Sequence, residues 1–365
     1  MAVKAAGSPG RRIPGARGGA DAWTVRVRLL ARPLVLAGAA ALVTVAGAAP
    51  AAAPAPARAS AFVRPAPPRA PQDMVPGTSC PVFPADNIWH ADVAHLPVAA
   101  QSAQWLAATG AGSGTRLHPD FGPSYGAQPV PYGIGFTVVT SAHPTVPVSF
   151  LYADESDPVR YPLGTDTFIE GGPNATGDRH AIEVNATTCE LYETWDTVHT
   201  PTGWTAGSGA VWNLRSDALR PAGWTSADAA GLPILAGLLR YDEVASGYVD
   251  HAIRFTVHAT SGAYLWPARH VAGSTAGAPP MGARFRLKAS FSLAGYSPQA
   301  QVVLRAMQTY GLIVADNGSN WFFQGTADTR WPQGLLTELE SVPASAFEAV
   351  DTASLQVSAN SGQAR

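Results

Sequence analysis

After residue 80 the chain alternates short apolar, β-rich runs with segments rich in glycine and proline. Runs at 134–139, 146–152, 181–184, 189–195, 251–257, 263–266, 284–288, 312–315 and 321–324 each hold β-branched or aromatic residues over lengths that suit strands. Three turn signals join neighbouring runs into expected hairpins. Asn185-Ala186-Thr187-Thr188 lies between 181–184 and 189–195. Thr260-Ser261-Gly262 lies between 251–257 and 263–266, and Asp316-Asn317-Gly318 between 312–315 and 321–324. His180-Ala181-Ile182 and His251-Ala252-Ile253 open two of these hairpins alike, a faint internal echo.

Helical patterns are fewer. An Ala-rich stretch at 97–109 ends before Gly110. Ser297-Pro298 provides an N-cap and a first-turn proline for a helix carrying Val303, Leu304 and Met307 and closed by Gly311. Shorter helices are expected from Ser226 and near Pro332. Paired strands, few helices and long loops predict a mainly β protein, a single antiparallel sandwich or jelly-roll-like domain.

The N-terminal pattern differs from the rest. Arg11, Arg12, Arg17, Arg26, Arg28 and Arg32 precede an uncharged apolar stretch from Pro33 to about Ala49, followed by small residues such as Ala51-Ala52-Ala53. That order is the mark of a secretory signal, with a membrane anchor as the alternative. The expected organisation is a signal and cleavage region over 1–61, a Pro/Ala-rich linker over 62–79, one globular domain over 80–351 and a flexible tail over 352–365.

Charge narrows the partners. Beyond residue 61 the chain holds 16 basic and 25 acidic residues, a net −9, and Lys288 is its one lysine. Such a chain repels phosphate backbones and anionic membrane surfaces, so neither nucleic acid nor membrane is an expected partner of the mature protein. Cys80 and Cys189 are the two cysteines, and in an exported chain they are expected to pair.

Candidate chemistry falls in three patches. Glu170 to His180 is a Gly-rich loop that delivers Asp178, Arg179 and His180 to the start of a strand; His180 either faces the core or lines a concave sheet. Arg240-Tyr241-Asp242-Glu243 is read as strand and precedes Asp250-His251. Trp266 to His270 ends the expected partner strand, which would make His251 and His270 neighbours. Asp178, His180, Asp242, His251, Arg269 and His270 are therefore the catalytic candidates. The three histidines could also converge on a metal ion, although no H-E-x-x-H spacing occurs. Further carboxylates are Asp154, Glu155, Asp157, Glu193, Asp228 and Asp316. No nucleophile elbow, phosphate loop or dinucleotide fingerprint is present, so no organic cofactor is expected.

Tryptophan is the strongest compositional hint. Sugars stack on aromatic faces, and Trp212, Trp224, Trp266 and Trp321 in Gly/Ser/Thr-rich surroundings are the expected sugar-binding residues; core packing is the plainer alternative. The leading expectation is an exported, monomeric carbohydrate-active enzyme, a hydrolase or lyase on a polysaccharide. Its alternatives are a non-catalytic polysaccharide- or cell-wall-binding protein and an exported metal-dependent hydrolase.

The stretches Asp86-Asn87-Ile88-Trp89, Leu117 to Gly122, Gly177-Asp178-Arg179-His180, Gly223 to Asp228, Trp266 to His270 and Ala315 to Ser319 together resemble a family of exported bacterial proteins of unknown activity. The likeness spans about Cys80 to Asp351. It implies export and one long domain, and carries no catalytic role to any residue.

Overall fold

The computed structural model describes residues 73–124 and 130–365. Among them are thirteen strands in three sheets and four α-helices, so the fold is mainly β and sandwich-like, as the strand pattern predicted. The largest sheet runs, edge to edge, through His118–Asp120, Phe322–Gln324, Ile253–Val257, Leu312–Asn317, Arg284–Leu287 and Phe347–Val350. A second sheet orders Thr137–Val139, Ala181–Asn185, Glu190–Trp195 and Ser208–Asn213, and a small third one holds Val148–Phe150, Gly203–Ala206 and Val198–Thr200. Phe255, Phe285, Val314 and Phe323 of the first sheet share one buried cluster with Ile182, Val184, Leu191 and Trp212 of the second. That shared core is what makes two sheets into a sandwich.

The 181–195 hairpin forms as its turn signal predicted, with Ala181 opposite Thr194 and Asn185 opposite Glu190. The other two do not. Ile253–Val257 pairs in parallel with Leu312–Asn317 and antiparallel with Phe322–Gln324, so it lies between the two strands that Asp316-Asn317-Gly318 was expected to join. Residues 263–266 make only an isolated bridge, Tyr264 to Met281. All five residues of Ile253–Val257 are buried, the pattern of a central strand rather than of an edge hairpin. Four strand pairs are parallel, so the sheets are mixed.

The Pro298–Thr309 helix joins Arg284–Leu287 to Leu312–Asn317, its antiparallel neighbour in the first sheet. Ser297 Oγ accepts from Ala300 N, proline occupies the first turn, and Gly311 follows at φ +72°. A Cβ on Gly311 would lie 2.4 Å from Phe285 O, so only glycine turns the chain this tightly into the sheet. Ser102–Ala108 and Gln333–Glu340 are helical near the expected places. Residues from Ser226 are not: the Ser226 hydroxyl accepts from Asp228 N and donates to Leu232 O, closing a turn instead. Tyr241–Ser246 is a short helix, not a strand, because Glu243 accepts from Arg240 N and Gly247 ends it at φ +88°.

The domain is also longer than 80–351. Val75 is fully buried and Asp73 pairs with Arg240, so 73–79 belongs to the fold rather than to a linker. The segment 352–365 is packed too: Leu355 is buried, and Ala364 N donates to Asp86 O at 2.7 Å. The expected signal region lies outside the described residues. Cys80 and Cys189 form the disulfide, Cα to Cα 5.3 Å, tying the start of the domain to the second sheet. No helix among the described residues is long and apolar enough to cross a membrane.

Candidate functional site

The structure divides the candidate residues into two places. The first is closed. His251 has no exposed surface; its Nε2 lies 3.1 and 3.2 Å from the two Glu243 oxygens, and its Nδ1 lies 2.7 Å from Ala252 O. Arg240 donates to Glu243 Oε2 at 2.9 Å and to the Asp73 carboxylate. Burial works against the charged imidazole, but Glu243 outweighs it and raises the His251 pKa. Burial likewise opposes the Glu243 carboxylate, and Arg240 and His251 pull it below the usual range. Asp73, Glu243 and His251 bring possible metal-ligand atoms within 4.8 Å of one another. The Arg240 guanidinium already provides the positive charge at that spot, so the group is a self-compensated ion cluster.

Asp242, next in the chain, turns outward to Arg330 at 2.6 Å, and Arg330 lies 4.4 Å over the Tyr241 ring. The two adjacent acids thus serve different partners on a helix. Because the 251–266 hairpin is absent, His251 and His270 are not neighbours. Among the described residues only Asp73, Glu243 and His251 form a group with metal-ligand spacing, so His180, His251 and His270 do not make a three-histidine centre.

Arg269 is a clamp, not a substrate ligand. It is buried and donates to Arg220 O, Ala359 O and Asn360 Oδ1 at 2.6–2.9 Å, which fastens the C-terminal segment. Of the four candidate tryptophans, Trp212 and Trp321 are buried, Trp224 and Trp266 half-buried, and all four make contacts within the fold. Trp321 is fully buried among Phe255, Phe285 and Phe347, and its Nε1 donates to Thr109 O. Trp212 and Trp224 flank the Arg220 guanidinium at 5.6 and 5.4 Å. Trp266 Nε1 is committed to Ser361 O at 2.8 Å.

The second place is open. A cleft of about 400 Å³ is lined by Tyr152, Glu155, Asp178, Trp195, His270, Asp316 and Asn317, among others. Two of the six catalytic candidates, Asp178 and His270, meet here. Arg179 holds the loop before the first sheet-two hairpin: at φ +52° it donates to Thr197 O, Pro173 O and Ala175 O, leaving Asp178 exposed at the rim. Trp195 ends its strand and donates from Nε1 to Asp178 Oδ1 at 3.3 Å. Its ring lies against Gly207, where any Cβ would meet it at 2.1 Å, and faces Tyr152 with centroids 6.3 Å apart. Glu155 accepts from Thr225 N at 2.9 Å and stands 3.6 Å from His270 Nε2; His270 Nδ1 is bonded to Ala229 O.

Asp316 follows a break in strand register between Val314 and Asp316, the kind of irregularity that re-aims a side chain. It lies partly buried in the cleft. Burial and the nearby Asp228 charge raise its pKa to about 7, against the opposing pull of Arg254. Behind it Arg254 binds Asp228 through two hydrogen bonds of 2.6 and 2.8 Å, both residues buried. Glu193, fully buried, accepts from Ile234 N and Leu235 N and is pushed up to about 7 by burial. His180 is buried beside this layer. Burial opposes its charge, yet Glu170 at 2.7 Å raises its pKa to about 9, so it is an anchored ion-pair partner of the loop rather than a free base.

Sequence reasoning named Asp316 and Glu155 only among several further acids, and did not single out Trp195. A register break leaves no mark in a local pattern. Fold and site together define a mainly β protein with an acid-lined cleft walled by aromatic rings. No protein-family model matches the chain, and no curated protein or solved structure matches it.

Proposed function

We propose that the cleft is the active site of an exported, monomeric glycoside hydrolase acting on a polysaccharide. The observation that carries this is the pairing of unlike carboxyls beside an aromatic wall: Asp316, held protonated up to about pH 7, and Asp178, exposed at the rim next to Trp195. A buried carboxyl that keeps its proton, sharing a cleft with a second, exposed carboxyl, suits separate acid and base roles. In this reading Asp316 gives its proton to the glycosidic oxygen as the bond to the anomeric carbon breaks. Asp178 takes a proton from the water that attacks that carbon. Tyr152 and Trp195 stack against the sugar faces, and Glu155 and His270 accept and donate hydrogen bonds to hydroxyls. Among the described residues, no arginine or lysine lines the cleft to neutralise a uronate carboxylate, which favours hydrolysis over a lyase reaction. The disulfide and the basic, apolar and small N-terminal pattern support export.

The test is release of reducing ends from neutral, amino-sugar and uronate polysaccharides, with and without chelator, by the wild-type chain and by Asp316→Asn. New ends from a neutral or amino-sugar polymer, insensitive to chelator and lost in the variant, are expected. Release that Asp316→Asn leaves intact would sink the assignment. The exposed Tyr152 ring beside Trp195 also fits a second reading, a glycan-binding protein without catalysis. Equal retention of one polymer by both proteins, with no ends released, would favour it.

A further inference from the structure

Asp178 does not border the cleft alone. It is also part of the wall of a second depression, about 680 Å³, formed by Asp120, Tyr132, Glu170 and the loop from Gly171 to Arg179. The exposed carboxylate that the hydrolase reading makes the base therefore stands between two hollows rather than at the end of one. A cleft of about 400 Å³ takes a drug-sized ligand, roughly two sugar rings. The larger groove has space for more of the same chain on the far side of Asp178.

The ridge between them is fixed. Arg179 is buried and holds three backbone carbonyls of its own loop and of residue 197 at 2.8–3.2 Å. The His180–Glu170 ion pair pins the loop's base, and Gly171 and Gly172 turn it at φ +73° and +90°. A Cβ on Gly171 would meet Ala175 Cβ at 2.8 Å, so the loop is tightly folded on itself. Rigid walls on both sides of a reacting group are what a binding site for an extended chain needs, because little ordering remains to be done when the chain arrives.

Charge on the groove side repeats that of the cleft. Asp120 accepts from the Tyr132 hydroxyl and from Gln324 Nε2, Glu170 is paired with His180, and the single arginine is already committed to carbonyls. Asn174 and Thr176 are exposed on the groove's loop wall. Among the described residues, neither hollow is lined by an uncommitted arginine or lysine that could meet an anionic sugar.

We infer that the substrate is a linear, uncharged or amine-bearing glycan that crosses Asp178, occupying cleft and groove together, and that it is cut internally rather than from an end. The internal-cut part rests on the hydrolase reading; the spanning part does not.

The experiment uses the purified full chain and fluorescently end-labelled ladders of two to eight sugars derived from cellulose, chitin, chitosan, mannan and, as the anionic control, polygalacturonate. Affinity by anisotropy and the position of cleavage are read for each length. Affinity for one uncharged or amine-bearing ladder is expected to rise about tenfold or more beyond two or three sugars, the length that fills the cleft alone, with cuts inside the chain. Thr176→Trp, which puts an indole into the groove, is expected to change the affinity for long chains, upward by stacking or downward by blocking, and to leave that for chains of two or three sugars unchanged. An affinity that levels off at two or three sugars, release of terminal units only, preference for polygalacturonate, or a long-chain affinity unchanged in Thr176→Trp would each overturn the inference while leaving hydrolysis standing. Length-dependent binding without cleavage would uphold the spanning site and overturn the hydrolase. Binding to none of the ladders would overturn both.

Discussion

The cluster around Arg240 and the cleft around Asp316 are built from the same residue types. Each has histidine and more than one carboxyl, and each has an arginine in or behind it. In the first, Arg240 stands among Asp73, Glu243 and His251, every charge has an opposite within hydrogen-bonding reach, and His251 is sealed. In the second, Arg254 is spent on Asp228, and Asp316 is left to face the cleft with burial and a neighbouring negative charge against its ionisation. The lesson is that residue type does not make a reactive site. Incomplete compensation next to accessible space does, because only there can a proton be held and then given to something that enters.

The sharpest break of that comparison is Asp316→Asn. It should cost roughly 10²–10⁴-fold in kcat/KM, the usual value of a positioned general acid, while leaving the unfolding midpoint unchanged or raised. With Asp316 at about 7, wild-type kcat/KM should fall as pH rises through about 7, since the active form is protonated, and pH-rate profiles will show whether that limb is present.

The mirror experiment is Arg240→Met. Removing the cation strands two buried acids, so urea unfolding should show a loss of about 3–5 kcal/mol, with activity per folded molecule retained. A large loss of activity without loss of stability would reverse the assignment of the two regions.

Glu183 sharpens the contrast further. It is fully buried on the Ala181–Asn185 strand, and burial raises its pKa to about 8. The folded state thus holds a proton that the unfolded state has released above the ordinary carboxylate range. The stability this contributes is complete below that range and is lost as pH rises through about 8. Glu183→Gln should flatten this dependence, and at pH 9 it should be more stable than wild type by on the order of 2–4 kcal/mol in chemical denaturation.

The smallest effect is expected at the Asp242–Arg330 pair, half exposed on both sides. Arg330→Ala should change stability by under about 1 kcal/mol and leave activity alone, as solvent-screened pairs do. An activity loss there would move the site to the depression beside Asp242.

Much of the architecture was legible along the chain. The cap and proline at 297–298 placed a helix, the Asn185 turn placed a hairpin, and an even pair of cysteines in an export-like chain placed the disulfide. Each of these is a local rule or a simple count. Strand order was not legible, since the best hairpin signal, Asp316-Asn317-Gly318, joins strands that a third strand separates. Tryptophan content was legible but not its use. Trp321 and Trp212 fill the core and Trp195 reaches the cleft, and nothing in their neighbouring residues tells them apart.

The sequence alone determined a mainly β chain, its acidity and its one cystine, because pattern and composition act over a few residues or over the whole. Tertiary structure decided which histidine is neutralised and which acid keeps its proton. Those outcomes depend on burial and on charges that approach from far along the chain: Asp73 reaches Arg240 across 167 positions, and Thr225 reaches Glu155 across 70. Desolvation and Coulomb energies are set by such distances in space, which no local spacing encodes.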